Sequence, residues 1–331
     1  CTIATQVGNC AAIARVRTPE YSQEAKYLRD KLGLALIINP ELEAAIEMAH
    51  ILHLPSSLEV TNFAHGQAQL IKYEIPEGSI LDGTKLMDLG TRHHANILIG
   101  AVERDDEVTI PSGDFVLRKG DKLSFVGERR HTKEFFSHIG VNTHSVKNTL
   151  IIGGGKAAYY LAKQLISRGI KVKIIENSFE RCEELSILLP DAVIINGDGT
   201  EQALLKEEGI ETCQSFVPLT GIDEENIMLT LYAKQVSNAK VITKLNRITF
   251  TNVINSLDLG SVISPKYITS EAIIAYVRAK KNSMNCNIET LYHMYDSRVE
   301  AIEFFVSENS NVTDIPLRDL KLKKHLLICF I

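Results

Sequence analysis

The run Thr149-Leu150-Ile151-Ile152-Gly153-Gly154-Gly155-Lys156-Ala157-Ala158 restricts the fold of this chain more than any other segment. A β-branched apolar run stops at glycines, and a stretch with Ala157, Leu161, Leu165 and Ile166 at helical spacing begins at once. Gly153-x-Gly155-x-x-Ala158 therefore sits between a strand and a helix, the context in which such a pattern marks the first βαβ unit of a dinucleotide fold. The first glycine permits the tight turn, the second lets backbone amides approach a pyrophosphate, and the third site needs only a small residue. The helix N-terminus adds unpaired N–H groups and partial positive charge. Gly153, Gly154, Gly155 and Ala157 are thus expected against a bound adenine nucleotide. Lys156 either adds a direct charge or is a solvated lysine.

From Asn148 to about Val277, β-branched runs alternate with amphipathic helical stretches. The strands read are Thr149 to Ile152, Lys171 to Glu176, Ala192 to Asn196, Ser215 to Leu219, Lys240 to Lys244 and Ser261 to Ser264. This rhythm predicts an α/β domain with a Rossmann-like, doubly wound parallel sheet. Ligands of such sheets lie beyond the carboxyl ends of the strands, which singles out a small set of residues. Glu176, followed by Asn177, ends the second strand about 20 residues past the loop, where a carboxylate accepts hydrogen bonds from ribose hydroxyls and repels a 2′-phosphate. NAD, ADP or ATP is favoured over NADP; the plainer alternative is a surface glutamate. Asp198, Gly199 and Thr200 follow the third strand, and Thr220 and Gly221 the fourth. Asp198 is placed to reach the adenine or its ribose, yet it or Thr200 could equally cap a helix, as could Asp223 with Asn226.

From about Ser57 to Glu128 the texture changes to strands and dense turn residues, including Pro76-Glu77-Gly78, Leu81-Asp82-Gly83 and Lys119-Gly120-Asp121, which predicts a small β-rich domain. Arg104-Asp105-Asp106 reads as turn and surface residues. The chain also repeats itself with a period of roughly 230 residues, a duplicated multi-domain unit rather than a solenoid. Ala4, Gln6, Val7, Asn9 and Ile13 match Ala233, Gln235, Val236, Asn238 and Ile242 without a gap, and Arg15 falls on Lys244. After a short gap Ile38-Asn39-Pro40 falls on Ile263-Ser264-Pro265. Ile71, Glu77, Ser79, Leu86, Asp88, Leu89 and His94 then match Ile302, Glu308, Ser310, Leu317, Asp319, Leu320 and His325. The expected order is the C-terminal part of a first nucleotide domain (1–56), a first β-rich domain (57–142), a second nucleotide domain with the glycine loop (147–265), a helical linker (266–283) and a truncated second β-rich domain (284–331). Copy one enters at the equivalent of about Leu229, without a glycine loop of its own, so the chain reads as a fragment.

Composition narrows the function classes. The net charge is −5 and basic runs such as Lys321 to Lys324 are short, which argues against nucleic acid as a partner. No apolar run approaches the roughly 20 residues of a membrane span. The six cysteines, Cys1, Cys10, Cys182, Cys213, Cys286 and Cys329, form no C-x-x-C pair, which fits reduced thiols and no metal site. His93-His94, His50 with His53, and His131, His138 and His144 lack zinc-like or triad-like spacing.

Taken together, Leu150-Ile151-Ile152-Gly153-Gly154-Gly155, Glu176, Asn196-Gly197-Asp198-Gly199-Thr200, Leu219-Thr220, Asp223-Glu224-Glu225-Asn226-Ile227-Met228 and Ile263-Ser264-Pro265 resemble the RCK family, the regulators of K⁺ conductance. Two fused units resemble its TrkA branch, the peripheral nucleotide-binding subunits of bacterial Trk potassium uptake systems; related Ktr regulators carry one. The resemblance implies a cytoplasmic protein on the inner face of the plasma membrane. It implies self-association into dimers and a tetrameric ring, docked on an integral-membrane K⁺ channel subunit of the TrkH or TrkG kind. NAD(H), or ATP or ADP, would gate the pore by changing the angle between units, with no enzymatic turnover. In this family the arginines of a run like Ile13-Ala14-Arg15-Val16-Arg17 lie near nucleotide phosphates, so the resemblance adds Arg15 and Arg17, and with them Lys244, to the expected site. The alternatives are a Ktr- or Kef-type regulator of another cation transporter and an NAD-dependent dehydrogenase. Against the latter, no catalytic His or Lys set is visible.

Overall fold

The computed structural model describes residues 2–8, 10–17, 27, 31–54, 57–63, 67–92, 96–141, 145–247, 254, 257–282, 287–295, 298–306, 310, 312–320, 326–329 and 331. In chain order the first elements are α1 (Thr2–Val7), β1 (Ala12–Arg15), β2 (Leu34–Ile38) and α2 (Pro40–His53). They are followed by β3 (Glu59–Phe63), β4 (Ala68–Glu74), α3 (Leu86–Arg92), β5 (Leu98–Arg104), β6 (Glu107–Thr109), β7 (Lys122–Glu128) and α4 (Arg129–His138). Next come β8 (Asn148–Ile152), α5 (Lys156–Ile166), β9 (Lys171–Glu176), α6 (Phe179–Leu188), β10 (Val193–Asn196), α7 (Gln202–Glu207) and β11 (Ser215–Pro218). The last are α8 (Asp223–Val236), β12 (Lys240–Lys244), β13 (Ser261–Ile263), α9 (Pro265–Asn282), β14 (Asn287–Met294) and β15 (Val299–Phe305). They form two compact units, one of residues 1–55 and 144–272, the other of 56–143 and 273–331. Among the notable sequence positions, Cys1, His93, His94, His144, Cys286 and Lys321 to Lys324 lie outside the described residues.

The first unit holds a six-stranded sheet in the order β10-β9-β8-β11-β12-β13, every pair parallel. The expected strands are all present, with ends shifted by at most a residue or so, and the doubly wound class holds. β8 is buried on both faces, Leu150 in one core cluster and Ile151 in another, which is why its sequence is continuously apolar rather than alternating. Strand order reverses between β8 and β11, and the crevice at such a switch point is where open α/β sheets bind ligands.

Copy one contributes directly to this unit. β1 and β2 pair in parallel with Arg15 opposite Ile38, and β12 and β13 pair with Lys244 opposite Ile263. These are the residues that the gapped repeat aligns, so the duplication is present in three dimensions. Ile13 to Leu52 reads in sequence as strand, helix, strand, helix, and the first of these helices falls largely outside the described residues. α2 begins with Pro40 at a first-turn position where its missing N–H costs nothing, and the Asn39 side chain caps it by accepting from the Leu42 N–H at 3.1 Å. Its Ala44, Ala45, Met48, Ala49, Ile51 and Leu52 are fully buried in one core with Ala158, Leu161, Ala162 and Leu165 of α5. Asn39 also donates to the Tyr160 hydroxyl at 2.9 Å. The helix that closes the nucleotide part of copy one is thus built into the core behind the glycine loop of copy two.

The second unit holds a five-stranded antiparallel sheet, β3-β4-β7-β5-β6, and the antiparallel hairpin β14-β15. Tyr73, Phe125, Phe135 and Phe136 meet edge-on or tilted in its core. Met294 and Tyr295 of the hairpin region pack with Leu70 and Ala101, and the Tyr295 hydroxyl lies 2.7 Å from that of Ser124. Asp105 and Asp106, both at positive φ, form the turn between β5 and β6. Arg104 departs from expectation: its guanidinium bonds both oxygens of Asp121 at 2.7 Å. Asp121 is buried, and a buried carboxylate requires such a partner.

Candidate functional site

The glycine loop begins as β8 delivers the Gly153 N–H to the Ile175 carbonyl at 2.8 Å. Gly153 has φ +93°, and a Cβ there would lie 3.2 Å from the Leu219 carbonyl oxygen, so both conformation and space demand glycine. Gly154 is held on both sides of its peptide. Its N–H donates to Glu176 Oε2 at 2.6 Å and its carbonyl accepts from Arg181 Nε at 2.7 Å. Gly155 is the N-cap of α5, makes no side-chain cap bond, and a Cβ there would meet nothing within 4 Å. The loop is therefore tight on the protein side and open at Gly155, where α5 presents first-turn N–H groups to an anion. Lys156 is exposed on the first turn, while Ala157 and Ala158 are buried, the small residues that let α5 sit close to the sheet.

Glu176 ends β9 as expected, and its carboxylate spans the loop. Oε2 takes the Gly154 N–H and Oε1 takes the Ser178 N–H at 2.8 Å. A carboxylate offers about four acceptor positions, so each oxygen keeps capacity for a ribose hydroxyl. The backbone of Asn177 is fixed by Asn196, whose Nδ2 donates to the Glu176 and Asn177 carbonyls, both at 3.1 Å. Gly199 lies against β8, since a Cβ there would run into the Ile152 side chain. Asp198 Oδ1 accepts from the Thr200 N–H and hydroxyl at 2.8 and 2.7 Å, bonds that hold the Asp198 carboxyl below its ordinary pKa. The capping alternative for this pair does not hold: the N-cap of α7 is Glu201, one residue later.

Beyond the switch point, Asn226 organises the other wall. Fully buried on α8, it accepts the Thr220 N–H and hydroxyl at 3.0 and 2.9 Å and donates to the Thr220 and Lys244 carbonyls at 3.3 and 3.0 Å. Gly221 follows, exposed. Asp223, weighed as a cap, instead binds the chain beyond β12, accepting from the Asn246 and Arg247 N–H groups at 2.8 Å each. The reason is positional: α8 begins at Asp223, whereas the N-cap is Ile222. Lys244 Nζ donates to the Thr220 carbonyl at 2.9 Å. Burial lowers its pKa, Asp223 and Glu41 work against that, and Arg17 adds to it. Lys244 therefore shares an electrostatic neighbourhood with copy one. There Arg15 and Arg17 both bond Glu41 Oε1, at 3.4 and 2.6 Å.

The expected residues thus form a chain around the sheet's carboxyl edge: glycine loop to Glu176 on one side, glycine loop to Leu219-Thr220, Lys244, Glu41 and the arginines on the other. Sequence reasoning missed Arg181 and Glu41 and gave Asn226 too small a part. Arg181, five residues after Glu176, carried no pattern; Glu41 carried one weak signal, a carboxylate directly after Asn39-Pro40. Among the described residues no group of His, Cys, Asp and Glu could hold a metal ion, and no helix is long and apolar enough to cross a membrane.

Comparison with known proteins agrees with this construction. The TrkA-N domain family matches residues 149–265 and the TrkA-C domain family residues 70–140. A TrkA homologue of the Trk potassium uptake system of Methanosarcina mazei is 33% identical over 317 residues, 96% of this chain and 69% of that protein. The Haemophilus influenzae Trk system potassium uptake protein TrkA is 28% identical over 319 residues, 96% of this chain and 69% of that protein. Among solved structures, the GsuK RCK domain superposes with a TM-score of 0.61 at 18% identity, covering 86% of this chain and 60% of that one, a likeness of fold. A relative one-third identical along nearly the whole chain, together with both family matches on the two kinds of domain described above, shows that the chain belongs to the TrkA family.

Proposed function

We propose that this chain is the nucleotide-sensing portion of a cytoplasmic regulatory subunit for Trk-type potassium uptake. The observation that carries the reading is the glycine-lined, uncapped start of α5 beside a strand-end carboxylate, at the point where strand order reverses. The pyrophosphate of NAD(H), or the phosphates of ATP or ADP, would lie over Gly153, Gly154, Gly155, Lys156 and Ala157. The ribose would bond Glu176 beside Asn177, and the adenine would extend toward Asp198, Gly199 and Thr200. Thr220 and Gly221 would form the opposite wall, with Lys244, Arg15 and Arg17 on the phosphate side. Membership of the TrkA family supports this placement, and one protein with a similar fold is a GsuK channel bound to NAD.

In this reading the nucleotide is a signal rather than a reagent. It acts by binding one arrangement of units better than another, and it biases the partner only by that difference. The partner is an integral-membrane K⁺ channel subunit of the TrkH or TrkG kind, with the regulator self-associated into dimers and a tetrameric ring on the inner membrane face. The domain order is the one expected from the repeat: 1–56, 57–142, 147–265, 266–283 and 284–331. Competitive calorimetry of NADH, NAD, ATP and ADP tests the site, and saturable binding of at least one at a single site per chain is expected. Binding of none overturns it. Turnover of NADH at enzyme-like rates across small carbonyl compounds would overturn the regulatory role in favour of a dehydrogenase.

A further inference from the structure

Three of the cations that the proposed site directs at phosphate, Arg15, Arg17 and Lys244, are already engaged. Arg15 and Arg17, with half-exposed side chains, both turn onto the same oxygen of Glu41. The Glu41 side chain is only 9% exposed, and its second oxygen, Oε2, is buried without a hydrogen-bond partner. Desolvating a carboxylate and satisfying one of its oxygens is costly. Nothing in the local fold requires it. α2 is capped by Asn39, not by Glu41, and a glutamate in the first turn gains from the helix dipole even when solvated. What the arrangement does provide is an anion of the right chemistry on the two guanidiniums, in the electrostatic neighbourhood of Lys244.

We propose that Glu41 is an internal stand-in for the ligand's phosphate. In the unliganded protein it holds Arg15 and Arg17, and a nucleotide draws the arginines from it by offering more oxygens and more charge. Part of the intrinsic affinity is spent on this exchange, so Glu41 sets the concentration at which the sensor responds. Because Glu41 belongs to α2, whose apolar face is built into α5, the exchange changes the charge balance at the start of the helix that copy one lends to copy two. A triphosphate, with more charge to place on the arginines, should gain more from removal of Glu41 than a dinucleotide.

This inference rests on the proposed site, and the test separates the two. In the full chain, Glu41→Gln is expected to tighten ATP binding by about tenfold and NADH binding by less, measured by calorimetry. Adding Arg15→Gln and Arg17→Gln to that variant should erase the gain. Affinity that is unchanged or weaker in Glu41→Gln overturns the proposal, as does a gain that survives loss of both arginines. If circular dichroism shows Glu41→Gln unfolded, Arg17→Gln in the otherwise native chain decides: ATP binding weakened at least about threefold supports the exchange, and unchanged binding overturns it. Gly155→Asp is the control. Binding that survives it removes the site and this inference together, whereas binding lost in Gly155→Asp but unaltered in Glu41→Gln removes the inference alone.

Discussion

The two walls of the candidate site are made by different means. On the glycine-loop side the geometry is set by backbone: Gly153 at positive φ, the Gly154 peptide fixed from both faces, and α5 starting without a side-chain cap. On the cation side it is set by long side chains, Lys244 on a carbonyl and two arginines on one glutamate. A wall of backbone is rigid and accepts any ligand with a pyrophosphate. A wall of paired charges is adjustable and responds to how much negative charge arrives. In the proposed function the first would specify the class of ligand and the second would grade its members.

This contrast is most directly broken at Gly155. Aspartate is a good N-cap residue and the position is sterically open, so Gly155→Asp should keep or slightly raise the melting temperature. It should nonetheless abolish nucleotide binding, since a carboxylate then occupies the phosphate position; unchanged NADH affinity by calorimetry would refute the placement. Asn226 holds the second wall together, bonding both Thr220 and the end of β12. Asn226→Leu takes the Asn226 partner from the part-buried Thr220 N–H and Lys244 carbonyl and should cost about 3 kcal/mol in urea denaturation. A cost near zero would mean that this wall stands without Asn226. Glu176→Ala should weaken NADH binding by about 1–3 kcal/mol through lost ribose bonds, and NADPH by less. Equal losses for both would place the ribose elsewhere.

The smallest effect concerns pH. Burial lowers the Lys244 pKa, so its ammonium is lost at a lower pH than in the unfolded chain. Because the native state releases this proton more readily, Lys244 destabilises the charged form of the fold, and that penalty fades as pH rises through its lowered pKa toward the ordinary lysine range. Phosphate binding runs the opposite way. NADH affinity should fall a few-fold over the same interval, and Lys244→Met should flatten that slope in calorimetry across alkaline pH.

How much of this was legible in the sequence follows from the same contrast. Backbone demands leave a signature, because only glycine tolerates φ +93° at Gly153 and only small residues fit behind the loop. Strand ends such as Glu176 and Lys244 were readable because β-branched runs stop there. The equivalence of the two copies was readable too, since the repeat aligned Arg15 with Lys244 and Ile38 with Ile263, and the strands pair Arg15 with Ile38 in one copy and Lys244 with Ile263 in the other. The partners of those residues were not. Glu41 meets Arg17 because β1 pairs with β2 and α2 starts directly after β2, a contact across 24 residues that no local pattern announces. Asn226 likewise resembled a helix-start residue until its four bonds to the neighbouring loop and strand gave it another role.

The union of α2 with α5 also bears on how such a molecule can evolve. Asn39 bonds a tyrosine 121 residues away, and the alanines of both helices share one core. After duplication, a gene is ordinarily free to discard or remodel one copy. Here every substitution on the buried face of α2 is selected against a surface encoded in the other copy, so the two halves must change in step. A chimaera that joins copy one of one family member to copy two of another should inherit mismatched faces, which makes the pair, rather than the single unit, the heritable module.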